Sequence, residues 1–111
     1  MAMFGENTCK AWADANMTGT MSLRDSYNFS SVTDVAQGRI KFSFDVDAVA
    51  SKYAIATLSG NNTGTTTSGR TRNLDSSRAA ANFIIRNLNM NAGANSLVDD
   101  TYIGVIVFMD T

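Results

Sequence analysis

The stretch GRIKFSFDV, residues 38–46, alternates strictly between apolar and polar side chains. Ile40, Phe42, Phe44 and Val46 fall on one side, and Arg39, Lys41, Ser43 and Asp45 on the other. A period of two is that of a strand with one face buried. SKYAIATLS repeats the theme, with Tyr53 and Ile55 set against Ala54, Ala56 and Leu58. The small residues of that second set predict a face that another layer approaches closely. NFIIRNLNM places Ile84, Leu88 and Met90 on one side with Arg86 among them, and Phe83 and Ile85 on the other. TYIGVIVFM, residues 101–109, is apolar on both faces and rich in β-branched residues, which predicts an interior strand covered from both sides.

Three weaker strands precede these: TCKAWAD around Trp12, NMTGTMSLR, and SYNFSSVTDV. Turn chemistry at RDS (24–26), AQG (36–38), SGNN (59–62) and NAGANS (91–96) separates the candidates. Six or seven short strands so punctuated predict an all-β fold, an antiparallel β-sandwich of jelly-roll-like form. A chain of 111 residues makes one such domain, 1–111, and can bury roughly 60 to 70% of its unfolded surface. With a single cysteine, Cys9, apolar packing and backbone ladders must hold it in place of disulfides, and it can mature in a reducing compartment.

One segment resists the alternating pattern. Residues 59–82 are rich in Ser, Thr, Gly and Asn, and up to Ser77 they offer one large apolar side chain, Leu74. They read as a long polar loop. At its exit, Asp75 or Ser76 could cap one or two turns of helix through Arg78, Ala79, Ala80 and Ala81, because alanine has the highest intrinsic helix propensity. So short a helix would depend on packing. The loop also carries Arg70, Arg72 and Arg78 against Asp75, a local charge of +2 in a chain whose formal net charge is -1.

Function classes are narrowed most by what is missing. With no histidine and one cysteine, Ser-His-Asp and Cys-His nucleophile systems, imidazole metal ligation and the usual zinc sites are excluded. No catalytic residue, cofactor or metal site is therefore assigned, and the chain reads as non-enzymatic. Among enzymes only a carboxylate-pair hydrolase survives, and that needs two acids facing across a cleft. Asp45 with Asp47, or Asp99 with Asp100, could join backbone oxygens around a calcium ion, although surface aspartates at turns are the commoner arrangement. No apolar run long enough to span a membrane and no secretory leader is visible, so a soluble, unsecreted chain is expected.

Partner contact is left as the main candidate activity. Arg70, Arg72 and Arg78 can make forked hydrogen bonds to carboxylates or phosphates, or they can belong to an idle solvated loop. Without interleaved aromatic residues they lack a stacking platform, which disfavours nucleic acid. Trp12 stands amid polar neighbours and is the aromatic residue best placed for an interface. Trp12, Tyr27, Tyr53 and Tyr102 could alternatively stack on sugar rings, or simply pack a core.

A β-sandwich of this length, free of histidine and proline, without a catalytic constellation and with a long Thr/Gly/Asn-rich segment, resembles the small capsid-decorating (staple or cement) proteins of tailed bacteriophages, epsilon-15 type. The resemblance rests on length and overall character across the whole chain, and no site residue is carried over by motif. It implies a non-enzymatic virion structural protein, made in the host bacterial cytoplasm, that sits on the outer capsid surface. There it would bind the major capsid protein, self-associate as a dimer and stabilise contacts between capsid subunits. A carbohydrate-binding β-sandwich module is the alternative reading.

Overall fold

A computed structural model describes residues 9–60, 69–74, 78–91 and 94–109. They form nine strands: β1 Ala11–Asn16, β2 Ser22–Tyr27, β3 Phe29–Ala36, β4 Arg39–Phe44, β5 Tyr53–Gly60, β6 Gly69–Leu74, β7 Asn82–Asn91, β8 Ala94–Leu97 and β9 Tyr102–Met109. Two antiparallel sheets result. One runs β2-β1-β9-β5, and the other runs β3-β4-β7-β6 with β8 also paired to β7. The chain crosses between sheets from β2 to β3, from β4 to β5, from β5 to β6 and again before β9. The last strand therefore lies between β1 and β5, and β7 lies between β4 and β6. This is the expected antiparallel β-sandwich.

Its core is made by the alternation that marks β4. Ile40, Phe42 and Phe44 point inward and meet Phe83 and Ile85 of β7, Phe29 of β3 and Tyr53 of β5. Phe29, Phe42, Phe44 and Phe83 form an aromatic cluster with ring centroids 5.1–5.9 Å apart, within the range in which offset and edge contacts add to plain burial. Ala11, Ala13 and Ala15 of β1 and Ile103, Val105 and Val107 of β9 close the layer from the other sheet.

Several expectations are corrected. Residues 59–82 are not one loop: Ser59 and Gly60 end β5, and Gly69–Leu74 form β6, paired along its whole length with β7. The strand lacks an apolar signature because an arginine, Arg72, fills its inward position on polar partners. Residues 61–68 lie outside the described residues. Nor is there a helix at Arg78–Ala81; Asp75 and Ser76 lie outside the described residues. Alanine propensity is overridden because the carbonyls there are taken by other segments. Phe44 N–H donates to Ala81 O, Ala48 N–H donates to Ala80 O, and the Tyr53 hydroxyl donates to Ala79 O.

NMTGTMSLR is a turn rather than a strand over Met17–Met21, with Gly19 at φ 64°, so that β1 and β2 form a hairpin. RDS lies inside β2 instead of turning the chain. Val46 is outside β4 and exposed, because Asn28, at φ 60°, captures it. Asn28 Oδ1 accepts from Val46 N at 2.7 Å, and Asn28 Nδ2 donates to Val46 O at 3.2 Å. Finally, β9 is interior to its sheet but covered on only one face: Tyr102, Ile106 and Phe108 are exposed. Ala54, Ala56 and Leu58 of β5, expected to meet another layer, are exposed beside them.

Candidate docking face

The uncovered side of β2-β1-β9-β5 carries much of the molecule's exposed apolar bulk. Strand register sets Tyr27, Trp12, Ile106 and Ala56 in one row across all four strands. Beside it run Asp14, Gly104 and Leu58 on one side and Phe108 with Ala54 on the other. Trp12, Tyr27, Leu58, Tyr102, Ile106 and Phe108 are each exposed by between 38% and 72%. Soluble monomers rarely leave so continuous a set of large apolar side chains in water unless it is used.

A depression runs over this face. It has a volume of about 380 Å³ between Trp12, Ala56, Leu58 and Ile106. It continues past Gly104 into a second hollow of about 470 Å³ bounded by Asp14, Ser59, Gly60 and Tyr102. The missing side chain of Gly104 opens the passage. Nothing in the backbone requires glycine there, since a Cβ would come no closer than 3.7 Å, to Ala13 O, and φ is not positive. A glycine inside a central strand weakens the strand, so the hollow is kept at some cost to the fold.

The polar end of the face is held by Arg24. Its guanidinium donates to Ala15 O at 2.9 Å and to Asp14 Oδ1 at 3.3 Å, and also reaches Thr101 O. Its Cζ lies 4.5 Å from the centre of the Tyr102 ring. This ties edge strand β2 to β1 and to the start of β9, across the register shift between Asp14 and Ala15.

Of the candidate contact residues, only Trp12 lies on this face. Arg72 turns inward between the sheets and donates from Nε to Thr57 Oγ1 at 3.1 Å and from Nη1 to Ser59 Oγ at 2.8 Å. Ser59 Oγ donates in turn to Asn87 Oδ1 at 2.9 Å, and Asn87 Nδ2 donates to Asp100 Oδ2 at 2.7 Å. Asn87 and Asp100 are buried, so this chain of polar groups forms part of the interior, linking an arginine to a carboxylate through two neutral residues. Arg78 is exposed but engaged with Tyr53: its Nη1 donates to Tyr53 O at 3.0 Å, and its Cζ is 5.3 Å from the ring centre. Arg70 stands in β6 opposite Asn89; its side chain lies outside the description. Arg72 and Arg78 thus have separate partners, one between the sheets and the other on Tyr53.

Tyr53 is buried and leaves the set of possible sugar-stacking rings, whereas Trp12, Tyr27 and Tyr102 stay in it. The aspartate pairs do not converge either. Asp99 Oδ1 accepts from Gly38 N at 2.7 Å while Asp100 faces Asn87, and among the described residues no group of three acidic or thiol side chains could hold a metal ion.

Sequence reasoning missed Ile106, Phe108 and Leu58 as surface residues, because alternation shows that a strand has two faces without showing whether the second is covered. No protein family, curated protein or solved structure matches this chain.

Proposed function

We propose that this protein is a non-enzymatic structural protein of a virion, which binds the outer surface of a phage capsid and stabilises contacts between major capsid subunits. The observation that carries this reading is the open apolar face built by Trp12, Tyr27, Leu58, Tyr102, Ile106 and Phe108. A protein whose task is to cover other proteins needs such a surface and needs no catalytic cleft. Tryptophan and tyrosine are also the residues that most often dominate binding energy at interfaces. On a repeating lattice, modest individual contacts are reinforced by symmetry, and a self-associated dimer would engage two neighbouring subunits at once. The phage assignment itself comes from the resemblance in length and character.

The test is to add the purified chain to capsids that lack it. Saturable binding and greater resistance of the shells to heat or denaturant are expected; failure of both would refute the proposal.

A second reading, a carbohydrate-binding module, is favoured by one specific observation. Trp12 and Tyr27 are direct cross-strand neighbours on the open face, and both rings are exposed, an arrangement that could seat a sugar ring. A glycan array with no signal would remove it.

A further inference from the structure

The opposite side of the sandwich has a different chemistry. Since Ile40, Phe42, Phe83 and Ile85 point into the core, the outward positions of β4 and β7 are Arg39, Lys41 and Ser43, and Asn82, Ile84 and Arg86. Register sets Arg39 directly opposite Arg86 and Lys41 opposite Ile84. Thr33 lies next to Lys41 on β3, and Asn73 next to Arg86 on β6.

Like charges directly across a strand pair destabilise a sheet. Here the pair occupies two inner strands, where the chain could have used any polar residues. Among the described residues neither Lys41 nor Arg86 forms an ion pair. The Nε of Arg86 is also shielded from solvent and makes no hydrogen bond, although a buried donor normally finds a partner.

We infer that this basic face is a second docking surface, which receives the carboxylates of an acidic protein segment. Charge complementarity selects an anion, and the planar guanidinium fork suits a carboxylate. A nucleic-acid strand fits less well. Among the described residues no aromatic ring occupies an outward position on β3, β4 or β7 to stack a base, the basic strip is only two residue rows deep, and the chain as a whole is anionic. Ile84 beside Lys41 and Arg86 is only 9% exposed, so the contact is made by the charged groups. Because this face and the apolar one lie on opposite sides of the sandwich, both can be occupied at once, so that the protein links two partners. The inference does not depend on what the apolar face binds.

The experiment is an NMR titration of the ¹⁵N-labelled full chain with a hexaglutamate peptide at low salt. Amide shifts confined to β3, β4 and β7 are expected, lost again at high salt. Arg86→Gln combined with Lys41→Gln should weaken binding by at least about tenfold without lowering the melting temperature, since the like-charge opposition is relieved. Trp12→Ala should bind the peptide as the parent does. If the double variant does not fold, Lys41→Gln alone must still weaken binding. The inference is overturned by absence of shifts, by shifts centred on β1, β5 and β9, by undiminished binding in the variants, or by tighter binding of oligo-dT or inorganic phosphate than of the peptide.

Discussion

Tyr53 joins the two sheets through a single phenol. Its ring packs edge-on to Phe44, with centroids 5.5 Å apart, while its hydroxyl donates to Ala79 O at 2.7 Å and to Asn82 O at 3.1 Å. Burial pushes its pKa from 10.0 up to about 12, against the opposing pull of the Arg78 charge. The folded state therefore holds the phenolic proton at pH values where the unfolded chain has lost it. The stabilisation this gives is fully present below pH 10, and declines as pH rises from 10 through about 12. Urea denaturation across that window should show the parent losing stability relative to Tyr53→Phe, whose own Tyr53-dependent slope is absent. Identical slopes would mean that residue 53 titrates alike in both states. Arg72 and Arg78 teach a related lesson. Charge and polar neighbours make an arginine look like a contact residue, yet Thr57, Ser59 and the Tyr53 carbonyl are distant in sequence and give no local sign of claiming it.

At the scale of elements, the β3–β4 turn shows how closely a hairpin is fitted to its neighbours. Gly38 has φ 73°, and a Cβ there would lie 2.6 Å from Leu97 Cβ and 2.7 Å from Val98 N. Its N–H donates to Asp99 Oδ1 at 2.7 Å, and its carbonyl accepts from Asn87 N at 2.8 Å. Gly38→Ala combines left-handed strain with a clash against backbone that cannot swing away, and should destabilise the fold by about 2–4 kcal/mol. A chemical denaturation curve measures this, and a loss under about 0.5 kcal/mol, the range of ordinary surface substitutions, would show that β8 is free to shift. AQG announced this turn plainly, as the alternation of GRIKFSFDV announced β4, because both signals are carried by neighbouring residues. β6 was not legible, since its inward Arg72 is satisfied by side chains of β5 and its ladder by β7. The absence of helix at Ala79–Ala81 was equally hidden, since it depends on donors from Phe44, Ala48 and Tyr53.

For the whole molecule, the two sheets present unlike surfaces. One is apolar, broad and hollowed over Gly104; the other has a short basic strip at Arg39, Lys41 and Arg86. The antiparallel sandwich was readable because the inward rows of β1, β4 and β9 are apolar along the sequence. The openness of the apolar face was not, because a strand apolar on both sides reads the same whether the second side meets another layer or a partner. That face is central to the account, and Ile106 stands in the middle of its main row, between Trp12 and Ala56. A lysine at this half-exposed position can extend its charge into water and leave the core intact, but would place that charge inside any apolar interface. The most direct measurement is therefore sedimentation of Ile106→Lys with capsids lacking the protein, beside the parent chain and after the melting temperatures have been matched. The parent is expected to co-sediment and the variant, folded equally well, to stay in solution. Equal co-sedimentation of both would contradict this.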